Sequence, residues 1–463
     1  MVRLINYRIS IVLILILLLN SLINLFNYKW EINFFDLSSG LFLFLFLYTV
    51  GKLLNKTLNL KSISAAILLY LLSFFVFDLA ILFFIKSYSF STLFLFVNLF
   101  WFLFLILNLD RKIEIIKPVA SLIVLKYFFL QFKSNLTFNQ NIIGDVEAVF
   151  FSQSKNIYEN NYYFSVNNYV MEGYPQLTSY IQSLFFQFVQ QNGEYNFYSF
   201  TSHIIFYLSI LFFLELNLKL INKITLIIVF SLLILNSGWL QFLITTSLMS
   251  EGIVSLFTSI GVYYLLNNIF KSKESFSSLI FCFLLGTLYF LKQFNSIIFL
   301  FLIILLFLFD NKNKSIPFLF SGVIIKELLY MFVFVDIGKD HHIRQIDLSD
   351  TILDLLLLRD LDLLNIYLIL KNLLIDKPLT ILVVVFFTTI FLNSKKDKTF
   401  FSTNLAYFMI INLNFLLIIT LYISVWQNME LDSPIRYVLN FIHLLLISII
   451  SNINNFQNYF FKK

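Results

Sequence analysis

Apolar runs of about 18 residues or more recur along the whole chain, separated by short clusters of Lys, Asn and Asp. They are too long and continuous for strands, and the alternation of roughly ten-residue segments that a closed membrane barrel needs is absent. The pattern predicts an all-α fold, a polytopic membrane bundle of about 14 transmembrane helices (roughly 12–14). In the first half the spans fall at 8–27, 38–54, 62–85, 88–108, 116–131, 197–216 and 221–237. They continue at 250–269, 276–292, 295–310, 315–335, 377–393, 400–424 and 434–452. The opening run "MVRLINYRISIVLILILLLNSL" has the look of a signal peptide but no small-residue cleavage site, so it is expected to remain as the first helix.

Two stretches break the rhythm, 132–196 and 336–376. Within the first, "PQLTSYIQSLFFQFVQ" at 175–190 is short, carries four Gln and has Pro at its first turn. It is expected to form an interfacial helix rather than a span. No internal repeat or linker divides the chain, so 1–463 is expected to be one transmembrane domain with two large external loops carrying short interfacial helices. Long loops in compact chains usually carry function.

Charge sets the orientation. Arg3, Arg8, Lys52, Lys56, Lys61, Arg111, Lys112, Lys117, Lys219 and Lys223 fall on one side of the predicted layer. So do Lys271, Lys273, Lys312, Lys314, Lys395, Lys396, Lys398, Lys462 and Lys463. The positive-inside bias makes that side cytoplasmic, with both termini on it and both long loops outside. The expected location is the plasma (inner) membrane, with an active site on the external or periplasmic face.

Composition agrees. The chain is 59% hydrophobic and 13% charged, against about 25% charged residues in soluble domains. The net charge of +6 is mostly loop Lys and points to orientation, with no nucleic-acid partner expected. The single cysteine, Cys282, excludes a disulfide framework and a thiolate metal site.

Candidate chemistry starts at "NIIGDVEAVFFSQSKNIYENN", residues 141–161. Asp145 and Glu147 are two residues apart, so on a helix they lie about 200° apart and can converge only at a turn or helix start. Gly144 permits that turn. A carboxylate here can serve as general base toward an acceptor hydroxyl or amine, or ligate a divalent cation. The plainer alternative is that Asp145 caps a helix over 146–158, with Glu147 in its first turn. Tyr174 and Pro175 of "GYPQL" open the interfacial helix, where Tyr is also an ordinary anchor.

Three charged residues stand at the predicted outer ends of spans: Glu251 in "LMSEG", Lys292 in "LKQFNS" and Arg436 in "SPIRYVLNFIHLLL". Each alone reads as a snorkelling side chain. Gathered on one rim with Asp145 and Glu147, they suit a phosphate-bearing ligand beside an acid/base centre. His341, His342 and Arg344 of the second loop are candidates for metal or phosphate binding, or simply solvated. Asp78, Lys126, Lys326 and Glu327 fall inside predicted spans, where charges need partners. Asp78 and Lys126 form a candidate structural pair.

In its ordered elements the chain resembles the GT-C superfamily of membrane glycosyltransferases, which take sugars from polyprenyl-phosphate carriers. The aminoarabinose transferases and protein mannosyltransferases are examples. The resemblance covers roughly 140–310 and 430–452 and rests on "GDVEAVFF", "GYPQL", "SLMSEG", Lys292 and "IRYVL". The chain departs from the pattern in three places. About five spans precede the acidic loop, Pro-Pro is reduced to Tyr-Pro, and the turn after Lys292 lacks the family's Asn-Glu-Gly.

The resemblance implies transfer of a sugar, with inversion, to an envelope glycan, lipid or protein acceptor at the external face. Asp145 would be the general base, and Glu147 would assist or hold a divalent cation, Mg or Mn, if one is used. Lys292 and Arg436 would neutralise the donor phosphate. Lys155, Tyr174 and Glu251 would shape the sugar and acceptor pocket, with His341, His342 and Arg344 candidates for the same pocket. An O-antigen polymerase or ligase type is the main alternative, and it would put its critical Arg and His in 336–376. A transporter would show related halves and Gly- or Pro-broken helices. The chain has only 11 Gly and 5 Pro.

Overall fold

The computed structural model describes residues 34–60, 62–82, 90–108, 154, 181, 183, 194–236, 250–271, 276–287, 316–321, 324, 371, 377–393 and 442–460. Among these, all regular structure is helical. The helices are α1 (Phe34–Leu58), α2 (Ile63–Leu82), α3 (Phe90–Asn108), α4 (Glu194–Glu215) and α5 (Leu220–Asn236). They continue with α6 (Ser250–Lys271), α7 (Phe276–Thr287), α8 (Ile316–Leu319), α9 (Lys377–Asn393) and α10 (Ile442–Phe460). The predicted spans at 8–27, 116–131, 295–310 and 400–424 lie outside the described residues.

Four helices form the interior. Buried residues are nearly continuous along α2 (Ala65–Phe75), α4 (Ile204–Phe213), α6 (Ile253–Tyr263) and α10 (Ile442–Ile450). A helix apolar all round belongs in a core. Around them α3, α5 and α9 each bury one stripe and expose another, and both stripes are apolar. On α3, Leu93, Val97, Trp101 and Leu105 are buried, whereas Leu95, Leu99, Leu103 and Leu107 are exposed. On α5, Ile221, Ile228 and Leu232 face out, and on α9 Ile381, Val384 and Phe387 do. The spacing is helical on both stripes, so the outward face is a full apolar surface rather than scattered residues.

Among the described residues no single helix is both long and apolar enough to cross a membrane. The bent pair Leu43–Leu58 and Ile63–Phe77 meets that test together, and its axes turn through 102°. The six shorter apolar helices include Ile204–Glu215, Gly252–Leu266 and Ile442–Ile453. Helix α10 runs past its predicted end at 452, through the polar tail "NINNFQNYF" to Phe460.

Glycine sets three close crossings. A Cβ on Gly51 would lie 2.5 Å from Ile67 Cγ1 and 3.0 Å from the Ile63 carbonyl, bringing α1 onto α2. On Gly261 it would meet Leu285 Cδ2 at 2.6 Å, and on Gly286 the carbonyls of Leu319 and Phe318 at 2.6 and 2.9 Å. Leu285 can move its side-chain tip; a carbonyl cannot move without its helix. Gly286→Ala is therefore expected to cost about 1–3 kcal/mol, and Gly261→Ala measurably less, as thermal unfolding of the purified variants will read. Equal losses would contradict the backbone origin of the α7–α8 approach.

The corner between α1 and α2 is built by capping. Asn59 takes φ 52°, the left-handed position that Asn tolerates after a helix end. The Leu60 amide then donates back to the Asn55 carbonyl at 3.3 Å, as in a Schellman motif, with Leu60 buried. Asn55 Oδ1 accepts from the Ser62 amide at 2.9 Å. Ser62 caps α2, accepting from the Ala65 amide at 3.0 Å. The two amides between are taken by a carboxylate from α4, Glu215. Its Oε1 accepts from the Ile63 amide, and its Oε2 accepts from the Ser64 amide at 2.9 Å and from the Ser62 and Ser64 hydroxyls. The Ala66 amide returns to the Ser62 carbonyl at 3.3 Å, so the first four donors of α2 are all satisfied.

The end of α4 is held as firmly. Lys223 Nζ donates to the Leu214 carbonyl at 2.6 Å, a cation at a helix C-terminus. The Asn217 amide donates to Tyr263 Oη of α6 at 3.0 Å. Between α2 and α3, Trp101 Nε1 donates to Ser73 Oγ at 2.9 Å and Tyr70 Oη to Asn98 Oδ1 at 2.9 Å.

Candidate functional site

Most of the predicted site falls outside the described residues: Asp145, Glu147, Lys155, Tyr174, Lys292, His341, His342, Arg344 and Arg436. Lys126, Lys326 and Glu327 do as well, and Asp78 is described only as a position within α2. Glu251 is placed on the chain as the second residue of α6.

Within the first loop, residues 154, 181 and 183 are described, besides 194–196 at the start of α4. Ser154 and Ser183 are both helical and fully buried, and Ser183 Oγ donates to the Ser154 carbonyl at 2.9 Å. Ser154 belongs to the segment that follows Asp145, and Ser183 to the segment that follows Tyr174 and Pro175. The bond joins a residue nine positions after Asp145 to one nine positions after Tyr174. Ile181 is buried as well, so at these residues the second segment packs into protein rather than lying free on a surface.

Glu251 stands at the start of a parallel helix pair. Beside it, Gly252 of α6 lies against Ile205 of α4, where an added Cβ would sit 3.5 Å from Ile205 Cδ1. One turn further in, Ser209 of α4 and Ser255 of α6 are bridged by His443 of α10. Further in again, Asn217 meets Tyr263. Residue numbers rise together along both stretches through all three contacts, the last of them just past the end of α4.

The His443 bridge is a directed chain of hydrogen bonds. Ser209 Oγ donates to the Ile205 carbonyl at 2.7 Å, which commits its only proton. It must therefore accept from His443 Nε2–H, 2.8 Å away. A neutral imidazole with its proton on Nε2 presents Nδ1 as an acceptor, and Ser255 Oγ donates to it at 2.8 Å. All three side chains are buried, and the ring packs against Phe213 and Phe230, with centroids 5.6 and 5.1 Å away.

His443 and Glu215 are the ionisable groups that stand out in the described interior, and neither was among the candidates read from sequence. The available signal was an ionisable residue within or at the end of an apolar run, Glu215 in "LFFLELNLKL" and His443 in "NFIHLLLIS". Among the described residues no group of three His, Cys, Asp or Glu is gathered that could hold a metal. No family model, no curated protein and no solved structure matches the chain.

Proposed function

We propose that this chain is a multi-pass membrane glycosyltransferase that moves a sugar from a polyprenyl-phosphate donor to an envelope acceptor at the external face. The observation that carries the reading is the buried Ser154–Ser183 joint, because it ties the acidic-motif segment to the Tyr-Pro segment. The resemblance requires those two segments to line one pocket. The apolar outer faces of α3, α5 and α9 support a bilayer surround, since such surface in water would drive association. The parallel run of α4 and α6 supports an alternating topology in which Glu251 faces the same side as the first loop.

In this reading the donor's lipid chain stays in the bilayer and its head group enters the external cavity. Asp145 takes the proton of the acceptor hydroxyl or amine as its oxygen or nitrogen attacks the anomeric carbon. The lipid phosphate leaves with the bonding pair, and Lys292 and Arg436 balance its charge. Any divalent cation would be held by Asp145 and Glu147.

The test is transfer from radiolabelled polyprenyl-phosphate sugars in membranes carrying the wild-type chain, His342→Ala and the acidic-loop variants at matched expression. Donor-dependent labelling of an acceptor by wild type and His342→Ala is expected. Loss with His342→Ala alone would replace the reading with a polymerase or ligase acting through the second loop.

A further inference from the structure

We propose that the Ser209–His443–Ser255 chain is a positioning device that sets where Glu251 stands in the external site, which makes His443, Ser209 and Ser255 positioning residues for transfer. The inference rests on the transferase reading and deepens it.

The argument is geometric. Three helices each supply one polar group to the same buried point, and the hydrogen bonds run in one direction from Ser255 through His443 and Ser209 to the Ile205 carbonyl. Small displacements from this arrangement break it. Sliding or rotating α10 or α6 would leave a buried hydroxyl or ring nitrogen without its partner. Apolar contacts alone discriminate poorly between neighbouring settings, because the Leu, Ile and Phe that surround the point can repack. Glu251 and Ser255 are four apart on α6, so they share a face one turn apart. The contact of Gly252 with Ile205 lies between those levels and holds α6 to α4 just inside Glu251. Fixing Ser255 thus fixes the height and rotation of the turn that carries Glu251. The third partner brings in α10, whose own chain carries Arg436 seven positions before His443. One buried point thus fixes α6 one turn from Glu251 and fixes α10 at His443, seven positions along the sequence from Arg436.

Two measurements on the full-length protein decide the matter. For the first, spin labels are placed at Glu251→Cys on α6 and Ile453→Cys on α10, with Cys282→Ala, and the distance distribution is read in nanodiscs. One narrow distribution is expected. Ser255→Ala should broaden or shift it, and Ser255→Thr, which keeps the hydroxyl, should restore it. For the second, kcat and KM for the polyprenyl-phosphate sugar are measured per folded molecule in the unlabelled Ser255 variants. Ser255→Ala should lower kcat/KM roughly ten- to a hundredfold, as displacement of a pocket group by about 1 Å does. Ser255→Thr should recover most of that loss.

A merely stabilising role would lower yield and melting temperature while leaving both readouts at wild-type values, and that result overturns the proposal. It also falls if the distances shift but kcat and KM do not. A wild-type chain that transfers no sugar defeats the transferase reading instead. The spin-label distances alone then decide whether the bridge sets the position of residue 251. Ser255→Ala removes one oxygen, so it keeps the test open even where His443 variants fail to fold.

Discussion

Asp145→Asn is expected to reduce sugar transfer about 10²–10⁴-fold, the range over which a positioned general base acts. The change is nearly isosteric and removes only the ability to take a proton. Donor KM should stay within a few-fold of wild type, since the phosphate is held by Lys292 and Arg436 in this reading. Asp145→Glu should retain part of the rate, because the base survives at a shifted position. Initial rates at saturating donor, with expression matched by immunoblot, check all of this. A helix cap would behave in another way: Asn is among the best capping residues, so Asp145→Asn would then be nearly silent. The same substitution therefore separates the two readings of residues 141–161, which spacing alone left open.

The largest effect on stability is expected at Glu215. Its carboxylate accepts from two backbone amides and two serine hydroxyls at the start of α2. Glu215→Ala removes the acceptor and leaves the Ile63 and Ser64 amides without a partner at a half-buried corner. Hydrogen bonds to a charged group contribute about 1.5–3 kcal/mol, and orphaned donors add a desolvation cost, so a loss of about 2–4 kcal/mol is expected. Glu215→Gln should fall in between: one oxygen still accepts, but the amide nitrogen turns its own donors toward the serines. Ser64→Ala, which deletes one hydroxyl of the set, should cost only about 1 kcal/mol. Thermal or denaturant unfolding of the purified protein, followed by Trp fluorescence, will rank the three. A Glu215→Ala protein as stable as wild type would show that water replaces the carboxylate at no cost.

Hydropathy located helices well where a run of apolar residues ends in a polar cluster. Helix α9 occupies 377–393 as expected, and α2 and α3 begin and end within a few residues of their predicted bounds. Hydropathy carries no angle between helices, and α1 and α2 turn through 102° at their corner. The reason is local: Asn59 and Asn55 tie the corner into a compact cap, which hydropathy does not register. Pattern also said nothing about partners. Glu215 ends an apolar run next to Lys219 and Lys223 and resembles any other charge at a rim. Its role depends on the amides of Ile63 and Ser64, far earlier in the chain. His443 was hidden in the same way, since its partners Ser209 and Ser255 are small polar residues that helical runs carry in number. Ser154 and Ser183 were legible only as members of expected short helices, and nothing in the sequence marked them as a pair.

The Glu215 corner also bears on the order of synthesis. The Ile63 amide and the carboxylate that receives it are 152 positions apart. When the ribosome has released the corner between α1 and α2, the acceptor for its first turn has not yet been made. The nascent chain must carry those open donors, solvated or lent to another group, until α4 is complete. The joint that secures one of the earliest described helices is thus closed by a late arrival. A chain stopped short of residue 215 would hold its first helices together without the bond that locks them.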